Sequence, residues 1–440
     1  MENFREKSFW LSSVPYEPNP PLKGDQKADV VIVGGGFTGI STAYHLKKMA
    51  PGLDVAVLEA EVVGFGASGR NGGFAMTLFG LTFGLTALRF GKQKATEAHH
   101  YMEKAVDLVG DLVKENKIDC DYERTGFLRV ATSEKYKKRI LNEIELVKSQ
   151  GIEGIDWIDQ EAVRREVNSP LYLGAWWEPR CALVNPAKLA WGMKAAAERL
   201  GARVYENSPV KTVSKGEKIV VKTQEGSVTA DKLVFATNAF SITIPELKRK
   251  QVPAYTYIVL TEPLRPEHFA EIGWQHRQGI EDARNFVHYY RLTADNRLLM
   301  GGRDIGVTYG TKLDKDQDEK IFEKLVQDIH DTFPVLKDIR ITHRWGGPVS
   351  VPVDMTPALG YLGDKRILYA LGSMGHGVSL THMNGWTLAE MVLGKETERT
   401  RIFFVNRKVI PWPGEPLRFV VSQAIKGYMK LEDSLYDPKV

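Results

Sequence analysis

Residues 28–33 are apolar and mostly β-branched, broken only by Asp29, which is the pattern of a strand buried on both faces of a parallel sheet. Past a glycine turn, 40–49 reads as a helix and 54–59 as a second strand, so the three segments form a βαβ unit. The pattern then changes: 96–117 and 134–150 predict two helices rich in charge, marking the start of a second domain. The apolar stretch 74–88 is interrupted by Gly80 and Gly84 and is shorter than the roughly 20 residues that cross a bilayer, so it is expected as buried helix or loop.

Beyond Asn185 and Pro186 the sheet pattern resumes, with a helix over 187–200, a strand over 203–205, and a hairpin of 219–223 and 227–229 leading into 232–237. Strand-like segments at 255–260, 286–291 and 298–302, then a charged helix over 315–333, suit a substrate domain. A strand at 367–370, a glycine-rich turn at 372–377 and a helix over 378–393 return the chain to the first domain. No internal repeat, low-complexity tract or linker is present, so the two domains are expected to interleave.

Composition changes this picture little. The chain has 440 residues, 43 % of them hydrophobic, enough for two or three domains with real cores. Its formal charge of +4 is too balanced to advertise a nucleic-acid or anionic-membrane surface. Cys120 and Cys181 are far apart, which argues against a disulfide scaffold, a zinc ribbon or an iron–sulfur pattern, and no metal site is expected. Residues 1–27 hold charges and prolines but no apolar signal core, so the cytoplasm is the expected location.

The chemistry begins at Gly34, Gly36 and Gly39, a G-x-G-x-x-G between the first strand and helix. Missing side chains there let backbone amides approach a pyrophosphate at the helix N-terminus, beside Phe37 and Thr38. Glu59, next to Ala60, ends the following strand 20 residues beyond Gly39, placed to accept hydrogen bonds from the ribose hydroxyls of an adenosine. The pair indicates an adenine dinucleotide, NAD or FAD. The segment 64–73 carries five glycines, which let the backbone thread close to a flat ring or phosphates. Within it Gly66, Ala67, Ser68, Gly72 and Gly73 form the backbone, Arg70 offers fixed charge, and Asn71 offers donors and acceptors.

That segment, Gly66-Ala67-Ser68-Gly69-Arg70-Asn71-Gly72-Gly73, resembles the D-amino-acid-oxidase-like FAD oxidoreductases, and within them the gamma-glutamylputrescine oxidase branch. The similarity also takes in Val14-Pro15-Tyr16-Glu17, Ala236-Thr237-Asn238-Ala239, Tyr289-Tyr290-Arg291 and Gly375-His376-Gly377-Val378. The resemblance implies an α/β fold in which a Rossmann-like, p-hydroxybenzoate-hydroxylase-like FAD domain (26–90, 175–250 and 345–400) interleaves with a smaller α+β substrate domain (91–174 and 251–344). Residues 401–440 are expected to pack on the FAD domain. It further implies that Val210, Thr237 and Asn238 flank the adenosine half of FAD.

The turn at Gly372, Gly375, His376, Gly377 and Val378 precedes a helix, and its amides suit the anion that reduced flavin carries near N1. Trp345 resembles the W-x-G segment used where the two domains meet, or it simply packs there. Strand alternation puts His288 and Tyr290 on one face and Tyr289 and Arg291 on the other; the first pair, with Met300 on the next strand and Trp345, is the candidate catalytic set. Some relatives attach flavin through a cysteine or histidine where this chain has Met374-Gly375 and Ser68-Gly69, so FAD is expected to be non-covalent. The strand matching their oxygen-activating lysine, 298–302, has none. The implied reaction oxidises a carbon–nitrogen bond of a small amine, passing electrons to oxygen or another acceptor. A flavin monooxygenase using NADPH and a non-catalytic FAD protein are the alternatives.

Overall fold

A computed structural model of the chain describes residues 3–80 and 82–437. Its first sheet is built around the strand Gly24–Val33, whose last four residues are buried. This strand runs parallel to Gly226–Phe235 on one side, Val33 opposite Phe235, and to Val55–Leu58 on the other, Val30 opposite Val55. Across the sheet the order is Ala358–Leu362, Asp364–Leu371, Gly226–Phe235, Gly24–Val33, Val55–Leu58, Arg203–Tyr205. Alternation divides the β-branched run. Val30 and Ile32 face the helices Phe37–Met49, Pro186–Arg199 and Gly377–Val392, while Val31 and Val33 pack with Val221 and Val228 of the hairpin below. Both faces are covered, as a parallel sheet requires.

Among the described residues the second sheet has nine strands. Val252–Pro263 pairs with Arg297–Gly302 and Ile341–Val351, and the ladder continues through His288–Leu292, Gly279–Asp282, Phe127–Val130 and Gly174–Glu178 to Asp156–Asp159. One face is capped by the helix Glu319–Thr332, where Val259, Tyr290, Leu298 and Met300 meet Phe322, Leu325 and Ile329. From the opposite face Ile258, Leu260, Leu299 and Trp345 enter the helix-side core of the first sheet. One apolar core thus spans both sheets.

Several expectations shift. The boundaries at 175 and 345 fall inside strands, because Gly174–Glu178 and Ile341–Val351 are held by ladder bonds of the second sheet. Of the stretch 74–88, only Phe83–Phe90 begins a helix, and Leu88 is 81 % exposed rather than buried. Cys120 and Cys181 are buried free thiols. Among the described residues no helix is long and apolar enough to cross a membrane.

The C-terminal extension also departs from its expected position. Phe404 and Val405 do pack into the core beside the first sheet, but the helix Leu417–Tyr436 lies on the second. Asp433 accepts hydrogen bonds there from the Tyr136 hydroxyl at 2.9 Å and the Asn285 amide at 2.8 Å, and Lys426 pairs with Asp304 at 2.9 Å. These polar anchors act with apolar packing of Phe419, Val421 and Ile425 against Val252 and Val307 of the second sheet to hold the helix there. Behind it, Asp282 is wedged between Arg284 and His288, at 2.5 and 2.7 Å. Burial alone would raise the Asp282 carboxyl, but those two cations outweigh it and hold it at about 2.

Since the folded-state value lies below the ordinary carboxylate range, ionised Asp282 stabilises the fold above about pH 4 and loses that effect as pH falls toward 2, a contribution of about 2 kcal/mol. Asp282→Asn is therefore expected to flatten the stability loss across that window, read from urea midpoints at successive pH values.

Candidate active site

At the carboxyl edge of the first sheet the strand Gly24–Val33 turns sharply. Gly34 has φ +109°, and a Cβ on it would lie 2.6 Å from the Ala236 carbonyl. Gly39, in the first turn of the helix Phe37–Met49, would drive a Cβ to 1.9 Å from the Gly34 carbonyl. These glycines bring helix and strand together, and the helix N-terminus opens on a cavity of about 670 Å³ lined by Gly34, Gly36, Phe37 and Thr38.

Glu59 and Ala60 line the same cavity. The Glu59 carboxylate accepts hydrogen bonds from the amides of Gly35 at 2.6 Å and Glu61 at 3.0 Å. Burial pushes its pKa up to about 7 despite those donors, with Glu206 and Glu61 adding to the rise. A residue unmarked by sequence reading supports this corner: buried Glu206 accepts from the Val63 amide and the Tyr16 hydroxyl, both at 2.6 Å, and pairs with Lys194 at 2.6 Å. Its signal was available only in the Val14-Pro15-Tyr16-Glu17 segment, whose tyrosine is one of its partners.

Gly66, Ala67, Ser68 and Asn71 continue the lining, and Val210, Thr237 and Asn238 line it as well. Ser68 Oγ accepts from the Phe37 amide at 2.9 Å, so the 64–73 segment is pinned to the start of the helix. Asn71 braces its own loop, donating to the Ala67 carbonyl at 2.9 Å and accepting from the Gly73 amide at 2.7 Å. The far end is walled by Phe65, Pro348, Val349, Leu371, Gly375 and Gly377. Pro348 and Val349 come from the second sheet, so both sheets build the cavity.

Other expected cofactor contacts do not line it. Gly39 serves helix–strand approach, as above. Arg70 is 4 % exposed and turns toward the second sheet, donating to the Phe65 carbonyl at 2.8 Å and pairing with Asp316 at 3.1 Å. Gly72 sits against the rings of Phe74 and Tyr289, and Gly73 against the Val184 carbonyl. Gly372 packs on Pro352, Val378 lies in the core, and His376 points out of the cavity with Nε2 at 3.6 Å from Glu281.

The candidate catalytic set is corrected more deeply. Tyr290 and Met300, opposite each other in register, lie in the core under the helix Glu319–Thr332, and the Tyr290 hydroxyl meets that of Tyr172 at 2.6 Å. His288 points the same way, bridging Asp282 and Asp328 at 2.7 and 3.0 Å. It is the other pair that faces the glycine segment: Tyr289 packs on Phe74 and Gly72, and Arg291 donates to the Val184 carbonyl at 2.7 Å. Alternation sorted the residues into faces, but only the covering helix shows which face is turned away. Trp345 is buried in the shared core and donates to the Arg70 carbonyl at 2.8 Å, which is junction packing.

The residues present fit FAD: a cradle in which a Cβ would collide, a helix N-terminus, a carboxylate at the end of the second strand, and a long cavity closed by a second helix start at Gly377. Glu59→Ala is expected to weaken FAD binding about 10- to 100-fold through lost charge-assisted hydrogen bonds, measured by quenching of flavin fluorescence. Gly39→Ala is expected to yield protein with little bound flavin and about 3 kcal/mol less stability in denaturant unfolding, because strand and helix must separate.

Comparison with known proteins agrees with this geometry. The family model described as FAD dependent oxidoreductase (DAO) matches residues 29–391. The chain is 36 % identical to gamma-glutamylputrescine oxidoreductase of Escherichia coli (strain K12), over 97 % of this chain and 98 % of that one. It is 25 % identical to sarcosine oxidase subunit beta of Arthrobacter sp, covering 86 % of this chain and 89 % of that one. The crystal structure of glycine oxidase from Geobacillus kaustophilus superposes with a TM-score of 0.73 at 21 % identity, covering 88 % of this chain and all of that one. With a family match over residues 29–391 and 36 % identity to a relative over nearly the whole chain, this chain belongs to the DAO family of FAD-dependent oxidoreductases.

Proposed function

We propose that this chain oxidises the carbon–nitrogen bond of a primary or secondary amine to an imine, which water hydrolyses to a carbonyl product and a free amine or ammonia. The observation that carries this reading is the near full-length similarity to gamma-glutamylputrescine oxidoreductase, which makes a gamma-glutamylated polyamine a natural substrate class, with amino acids and aminophosphonates as others. FAD, when bound, supplies the two-electron acceptor for a hydride equivalent leaving the carbon next to nitrogen.

The chain's own part is positioning and exclusion of water. Tyr289, Phe74 and Gly72 wall the gap between the glycine segment and the second sheet. A nitrogen must be unprotonated for its neighbouring carbon to release hydride, and an apolar, desolvated site favours the neutral amine. Among the described residues no cysteine or histidine lines the large cavity, which supports non-covalent attachment of FAD. Oxygen is the proposed final acceptor, yielding hydrogen peroxide.

The test is an anaerobic titration that follows the flavin band at about 450 nm while amines and N-methyl amino acids are added. Bleaching that recovers in air is the expected result. Bleaching that persists in air assigns another electron acceptor, and bleaching by NADPH alone would replace this reading with a monooxygenase. Acid precipitation is expected to release the flavin into the supernatant.

A further inference from the structure

Beyond the turn that ends the large cavity lies a second, smaller one of about 50 Å³, and strand register dictates much of its lining. Glu281 stands opposite Tyr289 on one neighbouring strand and Arg129 on the other, and Arg129 stands opposite Trp176. These residues share the sheet face that looks toward the first domain. Phe127 and Glu178, a facing pair two residues along, share it too. The cavity is linked to the flavin end through Met76 in its wall, whose carbonyl accepts from Ser379 at 2.7 Å, and through His376 beside Glu281.

Its charges do not balance internally. Arg129 pairs through one terminal nitrogen with Glu143 at 3.0 Å, its Nε having no hydrogen-bond partner among the described residues, so one guanidinium stands against three carboxyl groups in the wall. Glu178 has only neutral donors, the Thr77 hydroxyl at 2.6 Å and the Trp176 indole at 3.2 Å. Burial raises its pKa, outweighing those two donors and the nearby Arg180. Glu281 is 5 % exposed and its carboxylate makes no hydrogen bond among the described residues; its ion-pair partner there is His376, at 3.6 Å. His99, also in the wall, is held neutral, since burial brings its pKa down to about 4. The cavity therefore presents two buried carboxylates beside the aromatic rings of Trp176 and Phe127, surroundings that favour a cation.

We propose that Glu281 and Glu178 form a recognition subsite for a second, non-reacting ammonium group of the substrate. This inference rests on the amine-oxidation reading and narrows it to substrates carrying two amino groups. Two carboxylates would hold the reacting nitrogen protonated and block hydride release, so they suit the nitrogen that keeps its charge. The space admits a water-sized ammonium and little more. That ammonium comes either from the far end of a diamine or from the α-amino group of a γ-glutamyl head.

The FAD-loaded protein, its flavin first reduced with dithionite so that no amine can be oxidised, is titrated anaerobically by calorimetry with a series of α,ω-diaminoalkanes, the n-alkylamines of matching length, and γ-glutamylated diamines, which separates the two sources of the ammonium. A doubly cationic ligand is expected to bind at least about tenfold tighter than the matching alkylamine. Glu281→Gln and Glu178→Gln, each checked for bound flavin, are expected to collapse that ratio to within about twofold. Equal binding in the unaltered protein, or a ratio that survives both substitutions, overturns the subsite. Because binding is read on reduced flavin, which cannot accept a hydride equivalent, the two readings fail separately. Diamine selectivity with no flavin bleaching by any amine would sink the oxidation reading, whereas bleaching without diamine selectivity would sink the subsite alone.

Discussion

The cofactor cradle depends on a close approach of three pieces of backbone at the carboxyl edge of the first sheet. Gly39 reaches the Gly34 carbonyl at a distance that admits no side chain, and Gly34 reaches the Ala236 carbonyl in the same way. This fixes the helix Phe37–Met49 against the strand Gly24–Val33 and aims its N-terminus at the cavity. The neighbouring strand then delivers Glu59 to the opposite wall, and the 64–73 loop is fastened to the helix start through Ser68. The arrangement of this end of the cavity follows from that contact.

The second domain contributes by sharing a core rather than by touching at a hinge. Ile258, Leu260, Leu299 and Trp345 leave their own sheet to join the helix-side core of the first. Arg70 reinforces the junction from inside, with its guanidinium shared among the Phe65 carbonyl, the Gly346 carbonyl and Asp316. A buried guanidinium is stable only when so matched, and the same contacts hold the glycine segment in register with the sheet that faces it. Rigid coupling of this kind suits a reaction whose chief demand is the position of one carbon.

Buried charge is distributed unevenly across the second sheet. On the face toward the covering helix, Asp282, Arg284, His288 and Asp328 compensate one another. Across the sheet compensation is weaker: Glu178 accepts only from neutral donors, with Arg180 nearby, and Glu281 has His376 at 3.6 Å. A balanced network stabilises the fold, and an unbalanced one leaves a field for something else to satisfy.

The sequence by itself determined the parallel sheet, the dinucleotide turn and the carboxylate at Glu59, because each rests on local pattern: a β-branched run, glycines at fixed spacing, an acid at the end of a strand. It also carried the family resemblance, through segments whose backbone must pass close to the cofactor. The tertiary structure decided which alternating pair turned inward at His288 to Arg291, since two faces of a strand are equivalent until a helix covers one of them. It likewise decided that Arg70 braces the junction and that the helix Leu417–Tyr436 lies on the second sheet. Those outcomes depend on partners hundreds of residues away, such as Asp316 for Arg70 and Tyr136 for Asp433, and no local pattern encodes such contacts.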